Sequence, residues 1–431
     1  MFKRKHWYKR KKFSHFDTPL NRENAHKLVR DARRVSVHAF FPFIEFNIVT
    51  RRYRSKKEKE KVNGKTVKRR HLVEPKVRPI KLSSHKDGYI YSYYAKLLSN
   101  AYEKFVKENK FGQSVIAYRP RMGTNFSNAI EAFDAISGLG PCVIYTVDIS
   151  SFFENIDHAI LKKNWCRLFG WDKLPRDHYK IFKSLTKYSK IRMEDICRIL
   201  NLTHESIVSG GVDIICTPDV FRDRIRGASP SIIQTNRNGY GIPQGSAMSA
   251  VLSNVYMIDF DTEMEEFADN NGIFYRRYCD DIILVKRSHV AIDVLDFMKD
   301  VLSRTGVELK IHEEKTEKYI FDGEKISVGG AVQYLGLTFD GKKILIRNGS
   351  LAKFHRKMRS AVSYRKFKAR KRKGDLNGVL MLRTLYRKYS WKKDFKSFHG
   401  YAGRVGAATA LSGVKGQLRK NQCQLERLLK D

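Results

Sequence analysis

Apolar and polar residues alternate in two periods along the middle of the chain. A stripe of one apolar residue every three to four positions predicts a helix over residues 87–107, and the same spacing recurs over 156–169 and 246–269. Short β-branched and aromatic runs predict strands. These strands are placed at 142–148, 274–278, 282–286 and 333–347. The alternation of helices and strands favours an α+β fold with an antiparallel sheet backed by helices.

Other segments are less regular. Residues 21–40 fit an amphipathic helix only loosely, and residues 333–347 are predicted to form a hairpin around Asp340-Gly341, a dipeptide that favours a type I′ turn. Residues 187–240 mix short apolar pieces with Gly, Ser, Pro and Asn, so we interpret them as an irregular insertion of uncertain role. No internal repeat stands out.

Two adjacent carboxylates, Asp280 and Asp281, lie between the predicted strands 274–278 and 282–286. The Cys279-Asp280-Asp281 step is therefore predicted to be the exposed tip of a hairpin. The apolar run 142–147 ends in Asp148, which a buried strand can deliver beside that tip. The alternative for an Asp-Asp pair alone is a solvated turn.

Three converging carboxylates have a chemical consequence. Their like charges repel by several kcal/mol at intermediate dielectric unless a cation neutralises them. Hard oxygen ligands select Mg²⁺ or Mn²⁺, and two such ions can clamp the attacking and leaving oxygens of a phosphoryl transfer. The pattern therefore indicates a magnesium-dependent nucleic-acid polymerase.

The net charge of the chain also indicates binding to nucleic acid. The chain has 431 residues, with 84 Lys and Arg against 45 Asp and Glu, a net charge of +39. This excess favours binding of a polyanion, so nucleic acid is the expected partner. An anionic membrane is the competing interpretation, but the sequence has no apolar run of about 18 residues and no signal peptide, so no membrane association is expected. The six cysteines form no C-x-x-C pair and are expected to be buried thiols in a reducing cytoplasm.

Much of this charge lies in three stretches. Residues 1–13 carry seven Lys and Arg, residues 51–70 carry eleven, and residues 353–373 carry eleven. Aromatic residues are interleaved with cations in Tyr364-Arg365-Lys366-Phe367, which suits base stacking as well as phosphate contact. The alternative for these stretches is a solvated helix face.

Five motifs follow one another along the chain: Val147-Asp148-Ile149-Ser150-Ser151-Phe152-Phe153 with Ile156-Asp157, Gly241-Ile242-Pro243-Gln244-Gly245-Ser246, Tyr278-Cys279-Asp280-Asp281, Glu314-Lys315-Thr316 and Tyr334-Leu335-Gly336-Leu337. In this order they resemble the palm of a reverse transcriptase of the bacterial lineage shared by retrons, group II introns and defence-associated enzymes. With upstream finger elements, the resemblance covers roughly residues 76–345. It implies a right-hand polymerase that uses two Mg²⁺ ions, with Mn²⁺ as a possible substitute.

The resemblance implies roles for the palm residues. Asp148 and Asp280 would ligate both metals, with Asp281 assisting and the backbone carbonyl of Ile149 completing a site. Phe153 occupies the family's steric-gate position, where a bulky ring excludes a 2′-hydroxyl and so favours deoxynucleotides. The alternative for Phe153 is a core aromatic residue beside Phe152.

Further nucleotide contacts follow from the same resemblance. Gln244 matches the family residue that contacts the nucleotide, and Gly245 lets the backbone approach it. Ser246 can cap the helix that follows. As a bare motif, this segment would be an ordinary turn into a helix.

The finger residues complete the predicted site. Arg78 and Lys76 resemble the cations that bind the β- and γ-phosphates, and Lys315 matches a lysine thought to protonate pyrophosphate. Tyr118 and Arg119 resemble the finger motif that follows the template. Each cation has a simpler alternative, a surface or strand-end charge.

Two departures from the family pattern suggest a divergent branch. Ser249-Ala250 stands where Ser-Pro is usual, and Asp87-Gly88 where Asp-Arg is usual. The architecture that we predict is a basic N-terminal extension (1–75), fingers and palm (76–345) and a basic helical thumb (346–431). Too few residues follow 345 for an RNase H, integrase or endonuclease module. The chain most resembles the single-protein type 2 defence-associated class.

The type 2 class implies a structured noncoding RNA as partner and template, deoxynucleoside triphosphates as substrates, concatenated DNA as product and protection against phage. Other functions remain open. One is a template-independent or protein-primed DNA polymerase in phage defence, and another is a catalytically idle RNA-binding scaffold or maturase-like protein. An RNA-dependent RNA polymerase is a further alternative, against which Phe153 argues.

Overall fold

A computed structural model describes residues 7–11, 13–55, 60–62, 65–67, 70–208, 214–306, 309–371, 382–390 and 397–430. The chain divides into two compact units, each assembled from three segments. The first unit comprises Met1–Lys110, Ser151–Phe260 and Leu302–Leu309, and the second comprises Phe111–Ser150, Asp261–Val301 and Lys310–Asp431. The predicted boundaries after residues 75 and 345 stay a prediction.

Helices account for most of the regular structure. The described α-helices are α1 (Arg22–Arg30), α2 (Ala32–Ser36), α3 (His85–Glu108), α4 (Asn125–Leu139), α5 (His158–Phe169), α6 (Arg176–Thr186), α7 (Met193–Leu200), α8 (His204–Val208), α9 (Pro218–Val220), α10 (Ala247–Tyr256), α11 (Ile258–Asn270), α12 (Val294–Arg304), α13 (Asn348–Lys371), α14 (Leu382–Tyr389), α15 (Phe398–Ala408) and α16 (Val414–Lys430). Short 3₁₀ turns span Phe152–Glu154 and Glu313–Lys315, and a π-helical turn spans Phe221–Arg226.

The strands of the described residues form four sheets. They are β1 (Phe43–Ser55), β2 (Glu60–Val62), β3 (Lys65–Val67), β4 (Arg70–Leu82), β5 (Cys142–Asp148), β6 (Ser189–Arg192), β7 (Gln234–Thr235), β8 (Phe274–Tyr278), β9 (Asp281–Arg287), β10 (Glu317–Phe321), β11 (Ile326–Val328), β12 (Val332–Tyr334), β13 (Leu337–Phe339) and β14 (Ile344–Ile346). The predicted α+β class is confirmed.

In the first unit, a long β1–β4 ribbon is extended by β6 and β7 in the order β4-β1-β6-β7. Strand β6 runs parallel to β1, and the other pairs are antiparallel. Beneath this sheet lies an apolar cluster that includes Phe16, Ile44, Ile191, Ile196 and Ile225. Helices α3, α5 and α10 pack together, because each presents a buried stripe that the others cover.

In the second unit, five antiparallel strands follow the order β11-β10-β5-β9-β8. Apolar residues of β5, β9 and helix α4 pack together in one core, which also includes residues of the β12-β13-β14 sheet. Helices α13, α14 and α16 enclose a separate cluster that includes Phe354, Met358, Leu385 and Leu425.

Two of the predicted helices prove to be interrupted. The segment 246–269 forms α10 and α11, separated at Met257, where the Asn164 amide donates a hydrogen bond to the carbonyl of Tyr256 at 3.3 Å. The segment 21–40 forms α1 and α2, since the Asp31 side chain accepts a hydrogen bond from the Arg34 N–H and starts a new helix. The single-helix predictions were wrong at these two points.

The turn prediction for residues 333–347 also needs correction. Asp340 and Gly341 do lie between β13 and β14, but four residues connect these strands and Gly341 is the one with positive φ, at 100°. The two-residue turn with two positive φ angles lies at Leu335 (42°) and Gly336 (91°), between β12 and β13. Positive φ at both central residues is what a type I′ turn requires.

Residues 187–240 are more ordered than predicted, because the described part contains β6 and β7 and contributes α7, α8 and the π-helical turn to the first unit's core. All six cysteines are free, but Cys197 and Cys216 are only partly buried and Cys423 is exposed, which corrects the expectation of six buried thiols. Among the described residues, no helix has the length and apolar character needed to cross a membrane. Parts of the three basic stretches lie outside the described part of the chain, namely residues 1–6, 12, 56–59, 63–64, 68–69 and 372–373.

Candidate active site

Strand register in the second unit brings the three predicted carboxylates to one end of the sheet. Asp148 is the last residue of β5 and lies directly opposite Asp281, the first residue of β9. The backbone N–H of Ile149 donates a hydrogen bond to the carbonyl of Asp280 at 3.1 Å. Asp281 is exposed, whereas Asp148 and Asp280 are partly buried. The predicted hairpin is therefore present, but its tip is not exposed throughout as predicted, since Cys279 is buried and Asp280 is partly buried.

A second segment flanks Asp148 on its other side. The His312 N–H donates to the Asp148 carbonyl at 2.8 Å, and the Ser150 N–H donates to the Lys310 carbonyl at 2.9 Å. The following 3₁₀ turn, Glu313–Lys315, directs the Lys315 ammonium to Asp148 Oδ2 at 2.5 Å. Lys315, which the sequence resemblance linked to the leaving group, thus forms an ion pair with a predicted metal ligand.

The donor set fits a hard divalent cation by its chemistry. Asp148, Asp280 and Asp281 offer carboxylate oxygens, which Mg²⁺ and Mn²⁺ prefer, and Lys315 already supplies a positive charge to Asp148. As these side chains stand, however, no group of three or more His, Cys, Asp or Glu among the described residues is arranged to hold a metal ion. Backbone register therefore brings the donors together, and the ion pair with Lys315 occupies one of them.

The turn between β8 and β9 has an unusual backbone. Cys279 is buried and adopts a left-handed conformation with φ of 59°. The Tyr118 ring lies with its centre 5.9 Å from that of Tyr278, and burial raises the pKa of its hydroxyl. Tyr118 is 48% exposed, so part of its ring is open to solvent beside this turn. A template contact by Tyr118 stays a prediction.

Arg119 is engaged within its own loop. Its guanidinium donates hydrogen bonds to the carbonyls of Gly112 and Val115, the latter at 2.9 Å. These bonds close the loop from Gly112 to Arg119. The predicted template role of Arg119 is not tested by this arrangement.

The sequence analysis missed a buried ion pair behind the turn. Arg277 and Asp261 have fully buried side chains, and the Arg277 Nη2 donates to Asp261 Oδ2 at 2.5 Å. Strand alternation could have found it, because Arg277 shares the inner face of β8 with Tyr275. An arginine on an inward-facing position implies a buried acid.

The first unit brings together three predicted nucleotide-binding residues and the strand that carries two more. The Ile242 N–H donates to the Phe153 carbonyl at 2.9 Å, and the Gly241 N–H donates to the Ile156 carbonyl at 2.8 Å. These bonds join the segment after Phe153 to the one that leads into Gln244. Phe153 is partly buried and makes an edge contact with Phe152, so a core role and a steric-gate role are both compatible with its position.

Gly245 lies against strand β4. The Lys81 N–H donates to the Gln244 carbonyl at 2.9 Å, and a Cβ on Gly245 would lie 3.0 Å from both Ile80 and the Lys81 carbonyl. Since the φ of Gly245 is 114°, no other residue fits without strain. On the same strand, Arg78 is exposed and Lys76 is partly buried. In the first unit, Arg78 and Lys76 thus lie on β4, the strand that also forms a hydrogen bond with the Gln244-Gly245 turn.

The helix after this turn begins as predicted. The Ser246 side chain accepts a hydrogen bond from the Met248 N–H at 3.2 Å. The Ser249 hydroxyl, in the position where the sequence departs from the family pattern, donates to the Pro243 carbonyl at 2.6 Å. Ser249 therefore holds the turn and the first helical residues together.

A basic groove runs between helices α13 and α14 in the second unit. Its volume is about 550 Å³, and its lining residues carry three cations and no acid. They are Arg356, Lys357, Ser360, Ala361, Tyr364, Lys388 and Tyr389. Tyr364 is 55% exposed, Phe367 is 64% exposed, and the Lys368 ammonium lies 5.1 Å from the Tyr364 ring centre. Exposed rings among cations suit nucleic acid.

A comparison with known protein families supports the resemblance to reverse transcriptases. Residues 215–339 match the family model for reverse transcriptase (RNA-dependent DNA polymerase). The matched segment contains Gln244, Gly245, Asp280, Asp281 and Lys315. Residues 215–339 are therefore similar to a reverse transcriptase domain, and the predicted reverse-transcriptase fold of the right-hand polymerase type is confirmed. A comparison with curated proteins finds no match.

Solved telomerase structures are among those to which the chain is similar. Apo telomerase from Candida tropicalis, truncated from its C-terminal domain, aligns at 12% identity and a TM-score of 0.40, over 69% of this chain and 55% of that one. Telomerase from Candida albicans in complex with the TWJ fragment of telomeric RNA aligns at 10% identity and a TM-score of 0.43, over 95% and 59%. The chain spans a little over half the length of these structures. The family match, rather than these alignments, supports the activity.

Proposed function

We propose that this chain is a reverse transcriptase that copies a bound structured noncoding RNA into DNA for defence against phage. The observation that carries the polymerase activity is the β5–β9 register, which sets Asp148 opposite Asp281 beside a segment that matches the reverse transcriptase family. The net charge of +39 and the basic groove on α13 and α14 support binding of nucleic acid.

Residues of the second unit would carry the chemistry. Asp148, Asp280, Asp281 and the Ile149 carbonyl would hold two Mg²⁺ ions, or Mn²⁺, which when bound activate the primer 3′-hydroxyl and neutralise the departing pyrophosphate. Lys315 lies at hydrogen-bonding distance from Asp148, so an ammonium proton is available at the carboxylates for the leaving group. Tyr118 and Arg119 would contact the template.

Residues of the first unit would bind the deoxynucleoside triphosphate. The exposed Arg78, with Lys76 on the same strand, would bind the β- and γ-phosphates. Phe153 would lie under the sugar and exclude a 2′-hydroxyl, while Gln244 and Gly245 would contact the nucleotide. The close approach of Gly245 to β4 supports this role, since the strand and the turn are joined by the Lys81–Gln244 hydrogen bond.

The defence role and the RNA partner rest on the motif resemblance to the type 2 defence-associated class. A cytoplasmic location is part of the same proposal. A dedicated RNA template would be bound through the basic stretches, whose charge explains affinity rather than sequence choice. The product would be cDNA, with tandem repeats if the same template is copied repeatedly.

The test begins with the protein purified together with whatever RNA accompanies it. Mg²⁺ and the four deoxynucleotides are added to wild type, to Asp280→Asn and to the control Glu324→Gln, which changes an exposed acid of the second unit. Bound RNA and new DNA are then sequenced. We expect DNA complementary to one bound RNA from wild type and the control, and none from Asp280→Asn.

Other outcomes would redirect the proposal. DNA of random sequence would indicate a template-independent polymerase, and DNA joined to the protein would indicate protein priming. Tightly bound RNA without any DNA would favour a scaffold. Phage plating on cells that carry wild type or Asp280→Asn separates the defence role, because an equal plating efficiency would exclude it while leaving the polymerase activity intact.

A further inference from the structure

The guanidinium of Arg277 joins a buried carboxylate to the turn that carries Asp280 and Asp281. Arg277 Nε donates to Asp261 Oδ1 at 2.6 Å, Nη2 donates to Oδ2 at 2.5 Å, and Nη1 donates to the carbonyl of Cys279 at 3.0 Å. Neither charged side chain is exposed to solvent. The Arg277 guanidinium therefore bonds at the same time to the Asp261 carboxylate and to the backbone of the turn at Cys279.

Further bonds hold this pair in place. The Tyr275 hydroxyl donates to Asp261 Oδ1 at 3.2 Å. The Arg277 N–H donates to the Ser114 carbonyl at 2.8 Å, and the Arg277 carbonyl accepts from the Ile116 N–H at 3.0 Å. The neighbouring Gly112 N–H in turn binds Glu265 at 2.7 Å. Arg277 is thus fixed through its side chain and both of its backbone groups.

Thermodynamic stability is a poor explanation for such a pair. Removing two charges from water costs several kcal/mol per ion, and well-packed apolar residues of similar volume stabilise a fold as well or better. A buried pair with specific hydrogen bonds instead fixes a geometry. Here the fixed group is the Cys279 carbonyl, which belongs to the same peptide unit as the N–H of Asp280.

The conformation of Cys279 makes this bond consequential. Its φ of 59° is the left-handed region, which costs a residue with a side chain about 1 kcal/mol or more. A turn held in this region needs outside contacts to remain there. The bond from Arg277 is such a contact, immediately before Asp280.

We infer that Arg277, held by Asp261, is a positioning residue for the Asp280-Asp281 turn and thereby for metal binding and nucleotide addition. This inference rests on the proposed polymerase function. It assigns a role to a fully buried side chain that lies behind the candidate site.

The test uses Arg277→Lys, which keeps a positive charge for Asp261 but lacks the planar fork that also reaches Cys279. The matched control is Arg276→Lys, one residue earlier, where the guanidinium forms a partly exposed pair with Glu131 at 2.7 Å. Single-nucleotide addition on the copurified RNA gives kcat and the KM for deoxynucleotides. Fe²⁺ with ascorbate and peroxide, which cuts backbone next to a bound metal, reports the carboxylate site without requiring activity.

We expect Arg277→Lys to lower kcat about 100-fold with little change in KM, since a displacement of about 1 Å can have that effect. Fe²⁺-directed cutting near residues 148 and 280 should weaken in parallel, while Arg276→Lys behaves as wild type. Wild-type kcat and wild-type cutting in a folded Arg277→Lys protein would overturn the inference.

A second variant addresses folding. If Arg277→Lys fails to fold, the double variant Asp261→Leu/Arg277→Met removes both charges and avoids an unpaired buried ion. Loss of kcat and of Fe²⁺-directed cutting in a folded double variant supports positioning, whereas retention of both overturns it. If wild type makes no DNA, the proposed function has failed, and the Fe²⁺ cutting pattern alone still decides the positioning role.

Discussion

The two units hold their candidate site residues by different physical means. In the second unit, β-sheet register sets Asp148 opposite Asp281, and a buried ion pair supports the adjoining turn. In the first unit, Gln244 and Gly245 lie in a turn fixed by backbone hydrogen bonds to β4 and to the segment after Phe153. At these positions, the second unit uses a fully buried ion pair, whereas the first unit uses close backbone approach.

This difference predicts which side-chain substitutions each unit tolerates. A sheet register survives side-chain substitution, so the second unit should lose chemistry without losing its fold when a carboxylate at the sheet end is altered. A turn that depends on a glycine cannot accept a side chain without backbone movement. The following predictions either sharpen this contrast or break it.

The largest effect is expected at the carboxylates. Asp148→Asn should lower DNA synthesis about 10³-fold or more, since metal coordination supplies several kcal/mol to the transition state. Asp281→Asn should lower it only about tenfold, because Asp281 is exposed and its implied role is to assist. Single-turnover nucleotide addition checks both, and circular dichroism verifies the fold. An equal loss in the two variants would contradict the graded roles.

The next effect concerns stability. Asp261→Asn leaves Arg277 without its buried carboxylate and should lower the free energy of unfolding by about 3–5 kcal/mol. The control is Asp259→Asn, two residues earlier on α11, where the partly exposed Asp259 pairs with Lys163 at 3.7 Å and with Arg167. This control should lose about 1 kcal/mol or less. Urea unfolding measures both, and similar losses would break the contrast between the units.

A smaller effect is expected in the first unit. Gly245→Ala places a Cβ 3.0 Å from Ile80 and the Lys81 carbonyl at a φ of 114° and should cost about 1–3 kcal/mol in the local conformation. The KM for deoxynucleotides should therefore rise about tenfold. Gly239→Ala is the control, since no heavy atom beyond its own residue and its two chain neighbours lies within 4 Å of its Cβ position. Steady-state kinetics that find no difference between the two variants would exclude the close-approach role.

The smallest effect is acid sensitivity, which should be greater in the first unit. Burial lowers the pKa of four of its histidines and of one in the second unit, and the pKa of His15 falls to about 3. The four are His15, His85, His158 and His178, and the fifth is His399. A lowered pKa means that the folded chain binds a proton less readily than the unfolded chain, so the stabilisation from each neutral histidine is present above about pH 6.5 and is lost as the pH falls.

Hydrogen exchange at pH 7.5 and 5.5, corrected for intrinsic rates, measures this loss in each unit. We expect a loss of about 1 kcal/mol per pH unit below 6.5 from His15, and smaller losses from the histidines that are only partly buried, most of them in the first unit. His158→Gln should reduce that loss, because glutamine can donate to the Gly241 carbonyl, which His158 Nε2 contacts at 2.9 Å, and does not titrate. Greater acid loss in the second unit would contradict the prediction.

Sequence reasoning succeeded where a periodic pattern determined the geometry. The alternation in Phe274–Tyr278 and the apolar run ending at Asp148 were sufficient to place the carboxylates at one end of a sheet. It failed where a single side chain decided the outcome. Asp31 starts a new helix and Asn164 binds the Tyr256 carbonyl, and neither effect appears in a hydrophobic pattern.

The candidate site was predictable to a similar degree. The motifs indicated Asp148, Asp280 and Asp281, but the Lys315–Asp148 ion pair joins residues 167 positions apart and has no local signal. The Arg277–Asp261 pair was missed because a charged residue in a strand is ordinarily assigned to the surface. The order within 187–240 was missed because β6 pairs with β1, which lies far earlier in the chain.

The interleaving of the two units has a consequence for biosynthesis. The chain passes between them at residues 110/111, 150/151, 260/261, 301/302 and 309/310, so neither unit is a continuous product of translation. The first unit has all of its residues only after Leu309 leaves the ribosome, and the second waits for the last segment, Lys310–Asp431. Lys315 belongs to that segment. A nascent chain therefore carries Asp148, Asp280 and Asp281 before the lysine that neutralises one of them has been made.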